Sequence, residues 1–133
     1  ACGVLEGMRR QGWHQVPLIA VETTGADAFY QSLKASNRII LPSITSKATS
    51  LGAKSVTERL MQWSEEHPIQ SIVVSDESAE QGSRSFTRDQ RLLVELSSGA
   101  SLAVVYENHP IIHAFESILV VVCGGINISH FRI

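Results

Sequence analysis

The chain has 133 residues, 44% of them hydrophobic and 18% charged, with a formal net charge of −2. That length suits one compact domain, and the apolar content argues against a disordered tail. With 11 basic and 13 acidic residues there is no electrostatic footprint for nucleic acid, and no apolar run reaches the ~18 residues that would call for a membrane partner. Cys2 and Cys123 form neither a disulfide framework nor a zinc pattern, so a reducing, cytoplasmic setting is expected.

Apolar periodicity lays out the elements in order. Residues 1–11 place Val4, Leu5 and Met8 at helical spacing, with Gly12 as a stop. Residues 16–22 (VPLIAVE) form a short apolar run, the pattern of a strand buried on both faces. Residues 23–36 predict a helix with Phe29 and Leu33 inward. Residues 38–42 are a short extended piece, and 43–54 a loop rich in Ser, Thr and Gly. Ser55 with Glu58 has capping-box spacing for a helix over 55–66, stopped by Pro68. Residues 69–75 are a second strand. Ser75 or Asp76 caps a helix over 77–91 that Gly82 weakens. Residues 92–95 are extended or loop, and 97–106 an apolar helix opened by Ser97 or Ser98. A connector over 107–117 contains Pro110, and ILVVVC (118–123) is the third and most apolar strand.

Apolar strands alternating with helices predict a single α/β region over residues 1–133. Its form is an open, mostly parallel sheet with helices on both faces. Ligands of such sheets sit beyond the carboxyl ends of the strands. That directs attention to 22–28, 75–77 and 123–129.

Three constellations fall in or near those places. In VVVCGGINIS (120–129) a strand ends on a thiol followed by two glycines, which permit a sharp turn or a close backbone approach. A free cysteine is more often a small buried hydrophobe than a site residue. In VETTGADAF (21–29) Glu22 ends a buried strand, where a carboxylate must be paired, hydrogen-bonded or beside a cation. Capping of nearby backbone N–H groups is an equal alternative there. In ITSKATSLGAK (44–54) hydroxyls and Gly52 could gather carbonyls around an ion, although an ordinary loop has the same composition. His109 and His113 have the i,i+4 spacing of a metal pair, but Pro110 between them argues against it.

Taken in order, VPLIAVETTGADAF, ILPSITSKATSLGAKSV, VELSSGASLAVVY and ILVVVCGGINIS resemble the serine dehydratase family. These are pyridoxal-phosphate (PLP) enzymes of the tryptophan synthase β fold. The resemblance implies the large domain of a fold type II PLP enzyme and the β-elimination of L-serine or L-threonine. It implies that Cys123 hydrogen-bonds the pyridine nitrogen, and that Gly124 and Gly125 turn beneath the ring. It places Glu22 and Ala26 near a monovalent cation, potassium by expectation, with carbonyls of Leu51 and Ala53 completing the shell. It sets Ala1–Gly3 at the start of the helix that follows the phosphate loop, and it implies a homodimer for the full-length enzyme. A thiolate is a far stronger base than pyridine nitrogen, so a thiol at Cys123 keeps its proton and donates only a hydrogen bond.

This chain also departs from the family pattern. It contains no Ser-Phe-Lys-type motif for the PLP lysine and no tetraglycine loop. Glu95-Leu96-Ser97-Ser98-Gly99 replaces the usual Pro-Ala-Cys-Gly after the glutamate, Ile126 replaces a serine, and Ala28 stands where some members have serine. Both ends are therefore expected to lie inside a larger fold. The alternative expectation is a non-catalytic truncated homologue that serves as a binding or subunit-interaction module.

Overall fold

The computed structural model describes residues 1–124. Two parallel strands, β1 (Leu18–Thr23) and β2 (Ile69–Val74), pair in register from Leu18 with Ile69 to Thr23 with Val74. Five α-helices surround them in chain order: α1 (Cys2–Arg10), α2 (Ala28–Ala35), α3 (Glu58–Glu66), α4 (Asp76–Gln90) and α5 (Leu96–Tyr106). Single 3-10 turns cover Thr49–Leu51 and Pro110–Ala114.

Side-chain alternation along the strands separates the two faces of the pair. Val21, Ile72 and Val74 pack with Ala79 of α4, Ala100 and Val104 of α5, and Ile111 and Ile112 of the second 3-10 turn. Glu22 and Ser71 lie on the opposite face, where Glu22 meets α2. The expected α/β architecture with a parallel sheet is therefore present, with helices meeting both faces.

The third expected strand is not. Residues 118–123 are in no strand, and Leu119 is 81% exposed, with Ile118, Val121 and Val122 also open to solvent. Apolar residues alone do not make a strand, because the ladder needs a neighbouring backbone to receive its hydrogen bonds. Residue-level boundaries shift elsewhere for local reasons. α2 starts at Ala28 rather than at 23, because Thr23–Ala26 is taken up by a tight turn. In that turn Gly25 adopts φ +85 and its carbonyl accepts from Thr45 N–H at 3.1 Å. α3 is capped by Thr57, which accepts from Leu60 N–H at 3.2 Å, while Ser55 donates to the Ile39 carbonyl. α4 is capped by Ser75, as its sequence suggests. α5 begins at Leu96 with Glu95 as the flanking residue, so Ser97 and Ser98 lie inside its first turn.

The α4–α5 contact is the closest helix pairing in the fold. Gly82 is buried against α5, and a Cβ there would come within 2.5 Å of the Gly99 carbonyl oxygen. A Cβ on Gly99 would collide with the backbone of Ala79. Gly82, which costs helix propensity, is thus required by close approach. At the other end of the molecule Trp63 of α3 is buried beneath two guanidinium groups, Arg59 at 4.1 Å and Arg9 of α1 at 5.4 Å from the ring centre. Such contacts each contribute on the order of 0.5–1 kcal/mol. Gly99→Ala should destabilise the fold by about 1–3 kcal/mol, the range for overpacking a tight core. Urea unfolding of the variant beside the parent reads this, and an unchanged midpoint would contradict the packing described.

Candidate functional site

The carboxyl ends of β1 and β2 carry a chain of buried hydroxyls. Ser46 Oγ donates to Asp76 Oδ1 at 2.6 Å, so its contact with Thr23 Oγ1 at 2.7 Å must be donated by the threonine. Ala48 N–H also reaches Ser46 Oγ, and Lys47 N–H reaches Asp76 Oδ2 at 2.9 Å. The loop over 43–54 is thereby fixed between the end of β1 and the start of α4.

Beyond this loop, Ser50 donates to Glu95 Oε2 at 2.8 Å, and Ser97 donates to Glu95 Oε1 at 2.7 Å. Glu95 is buried, and its backbone N–H donates to the Gly124 carbonyl at 3.0 Å. Ser98 forms a reciprocal pair with the same glycine. Its hydroxyl donates to Gly124 O at 3.1 Å and accepts from Gly124 N–H at 3.2 Å. The first turn of α5 thus holds the residue that follows Cys123. The thiol itself is exposed. Gly124 has φ +132, and a Cβ on it would meet nothing within 4 Å among the described residues.

An exposed S–H donor on a fixed turn suits an aromatic ring nitrogen, so the residues present fit the pyridine end of PLP. Gly125 lies outside the described residues. Near Ala1–Gly3, α1 opens with no side-chain cap at Ala1, which leaves its first backbone N–H groups for other partners.

Glu22 lies against the start of α2. Its carboxylate accepts the N–H groups of Phe29 at 2.9 Å and Tyr30 at 2.7 Å, in the first turn of α2. Burial raises its pKa above the ordinary 4.5; the two N–H donors pull it down, and the nearby Asp27 charge adds to the rise. Ala26 is buried, with its N–H on the Thr23 carbonyl at 2.8 Å. The Leu51 carbonyl accepts from Ala53 N–H at 2.8 Å. The Thr45–Gly25 hydrogen bond joins the segment from the end of β1, which carries Glu22 and Ala26, to the loop that carries Leu51 and Ala53. The Ser50–Glu95 hydrogen bond in turn links that loop to the Cys123–Gly124 turn.

His109 and His113 do not converge. His109 Nδ1 accepts from Ile111 N–H, and His113 Nε2 contacts Asn108 Oδ1. Among the described residues no group of three or more His, Cys, Asp or Glu is placed to hold a metal. Sequence reasoning passed over Glu95 and Ser98 as site residues; the only available signal was a glutamate directly before a serine pair at a helix start.

The model for the family described as "Pyridoxal-phosphate dependent enzyme" matches residues 1–124. The chain belongs to the pyridoxal-phosphate dependent enzymes. Among the relatives of this family, a Bos taurus protein named L-serine dehydratase/L-threonine deaminase is 43% identical over 138 residues. The match covers 96% of this chain and 42% of that relative, so the chain spans less than half the length of the protein it resembles. The crystal structure of a fungal L-serine ammonia-lyase from Rhizomucor miehei aligns with a TM-score of 0.81 at 38% identity, over 87% of this chain and 36% of that one. A maize serine racemase, at 24% identity and a TM-score of 0.79, shares the fold over 93% of this chain and 40% of its own. These neighbours are fold type II PLP enzymes.

The raised Glu22 pKa has a definite sign in stability. Its contribution is present in full below the unfolded value of 4.5 and is lost as pH rises through the higher folded value. The stability difference between the parent and Glu22→Gln, which cannot titrate, should therefore shrink as pH rises above about 4.5 and then level off. Urea unfolding at stepped pH measures it; a flat difference would show that Glu22 titrates as it does in the unfolded chain.

Proposed function

We propose that this chain is the cofactor-nitrogen side of an L-serine/L-threonine dehydratase, which converts L-serine to pyruvate and ammonia and L-threonine to 2-oxobutanoate and ammonia. The observation that carries this reading is the Cys123–Gly124 turn clamped on α5, within a chain 43% identical to the bovine dehydratase. Bound PLP supplies an electron sink for the substrate α-carbon.

The residues of this chain tune that sink rather than cleave bonds. Cys123 would hold the pyridine nitrogen of the cofactor by donating its S–H while keeping its proton, and would thereby leave the ring neutral, which would suit elimination better than transamination. Gly124, whose φ is +132, would offer the cofactor a backbone without a side chain. The lysine that binds PLP and takes the α-proton belongs, in this reading, to polypeptide outside the sequence described. The exposed apolar run 118–122 is an edge that such polypeptide would cover.

The same proposal includes a potassium ion near Glu22, Ala26, Leu51 and Ala53, where it would tie two segments already joined by the Thr45–Gly25 hydrogen bond. A cation there favours the ionised Glu22 carboxylate and opposes the effect of burial. It also includes a homodimeric full-length enzyme and a cytoplasmic location, the latter consistent with two free cysteines.

The test uses the protein at its native length, loaded with PLP and supplied with L-serine. Pyruvate should form. Cys123→Ala should retain PLP and lose about tenfold in rate, the size of one neutral hydrogen bond at the transition state. Cys123→Asp should charge the ring and move product toward transamination. PLP-loaded protein that forms no pyruvate or 2-oxobutanoate would overturn the reading.

A further inference from the structure

Gly124 carries an unusual share of hydrogen bonds for a residue in no helix or strand. Its carbonyl accepts from Glu95 N–H at 3.0 Å and from Ser98 Oγ at 3.1 Å, and its N–H donates to Ser98 Oγ at 3.2 Å. The segment leading into it, 118–123, has no strand partner and is largely open to solvent. Among the described residues, the hydrogen bonds of Gly124 are therefore what hold the turn that carries Cys123. Ser98 is itself rigid: it is fully buried, sits in the first turn of α5, and is followed by Gly99 packed against Ala79 of α4. One peptide unit, about 3.8 Å between Cα atoms, separates the clamped glycine from the cysteine.

We propose that Ser98 is a positioning residue that sets the direction of the Cys123 thiol through the reciprocal hydrogen-bond pair with Gly124, the Glu95 N–H assisting. This rests on the reading of Cys123 as the donor to the pyridine nitrogen. The pair calls at position 98 for a side-chain atom that both donates and accepts, which the serine hydroxyl does and alanine cannot. Alanine at 98 leaves the Gly124 N–H without that partner and its carbonyl with one donor in place of two. The peptide is then free to rotate, and the sulfur moves with it.

The test uses the native-length protein with Cys2→Ser as background, so that the thiol signal of this region comes from Cys123. In the PLP-free protein, the rate of Cys123 modification by a disulfide reagent is followed by mass spectrometry of the peptide. Ser98→Ala should raise that rate about threefold or more. Ser64→Ala, which removes a hydroxyl bonded within α3 and outside the Gly124 clamp, should leave it at the parent value. Ser98→Thr, which keeps the hydroxyl, should restore it. A Ser98→Ala rate equal to the parent's, or a Ser64→Ala rate raised equally, would overturn the proposal.

PLP dissociation then separates positioning from simple stabilisation. Ser98→Ala should weaken PLP binding about tenfold when Cys123 is present and by no more than about twofold in Cys123→Ala, because a residue that acts through another loses its effect when that one is gone. Equal factors in both backgrounds would overturn the positioning role. If Cys123→Ala alone leaves PLP affinity unchanged, the cofactor reading of the thiol fails and the positioning role falls with it. The modification rates still report whether the clamp exists, so the two failures are distinguishable.

Discussion

The hydrogen-bond chain from Thr23 through Ser46 to Asp76 is the constraint on which the rest of the arrangement depends. Two parallel strands end side by side, and each must hand its chain to a loop while hydroxyls and peptide groups remain buried there. Every proton in the chain has a direction: Thr23 gives to Ser46, and Ser46 gives to Asp76, which also receives Lys47 N–H. Leaving one of these buried groups unpaired costs about 1–3 kcal/mol, a large share of a small domain's stability. The loop over 43–54 consequently has one place to lie. That placement presents Ser50 to Glu95, and Glu95 in turn presents its N–H to Gly124.

A second constraint acts beside the first. α4 and α5 approach so closely that Gly82 and Gly99 have no room for a side chain. Ser83 of α4 then reaches across to the Val94 carbonyl at 2.6 Å, which fixes the residue before Glu95. Glu95 is thus located from two directions, by the helix pair and by the loop. A buried carboxylate is tolerated only when its oxygens are paired, and here two serine hydroxyls pair them. The cost of burying it is offset by a fixed start for α5, and the Cys123–Gly124 turn rests on that start.

Much of this was legible in the sequence where the signal is local. Two apolar strands, five helices and the Ser75 cap follow from periodicity and capping chemistry, and the motif order pointed to the PLP enzymes. The failures have physical causes. ILVVVC reads as the best strand in the chain, yet a strand is a relation between two backbones, and composition cannot supply the second. Gly82 reads as a weak point in a helix, because propensity is visible in sequence and the approach of Gly99 from another helix is not. Ser97 and Ser98 read as caps of α5; the structure places them inside its first turn, with Glu95 as the cap position, and gives them partners at positions 95 and 124. Such partners lie up to 26 residues away, beyond any local pattern.

The two interior glutamates narrow where proton chemistry can reside. Glu22 spends its oxygens on the N–H groups of Phe29 and Tyr30, and Glu95 spends its own on Ser50 and Ser97. A general base needs a lone pair aimed at a substrate proton within about 3 Å, and a carboxylate bound on both oxygens by structural donors is poorly placed for that. Lys47 and Lys54 sit on the exposed loop, with Lys54 Nζ on the Pro42 carbonyl. Among the described residues, then, these two carboxylates hold the start of α2 and the start of α5 in place, and the start of α5 in turn fixes the turn that carries the exposed Cys123.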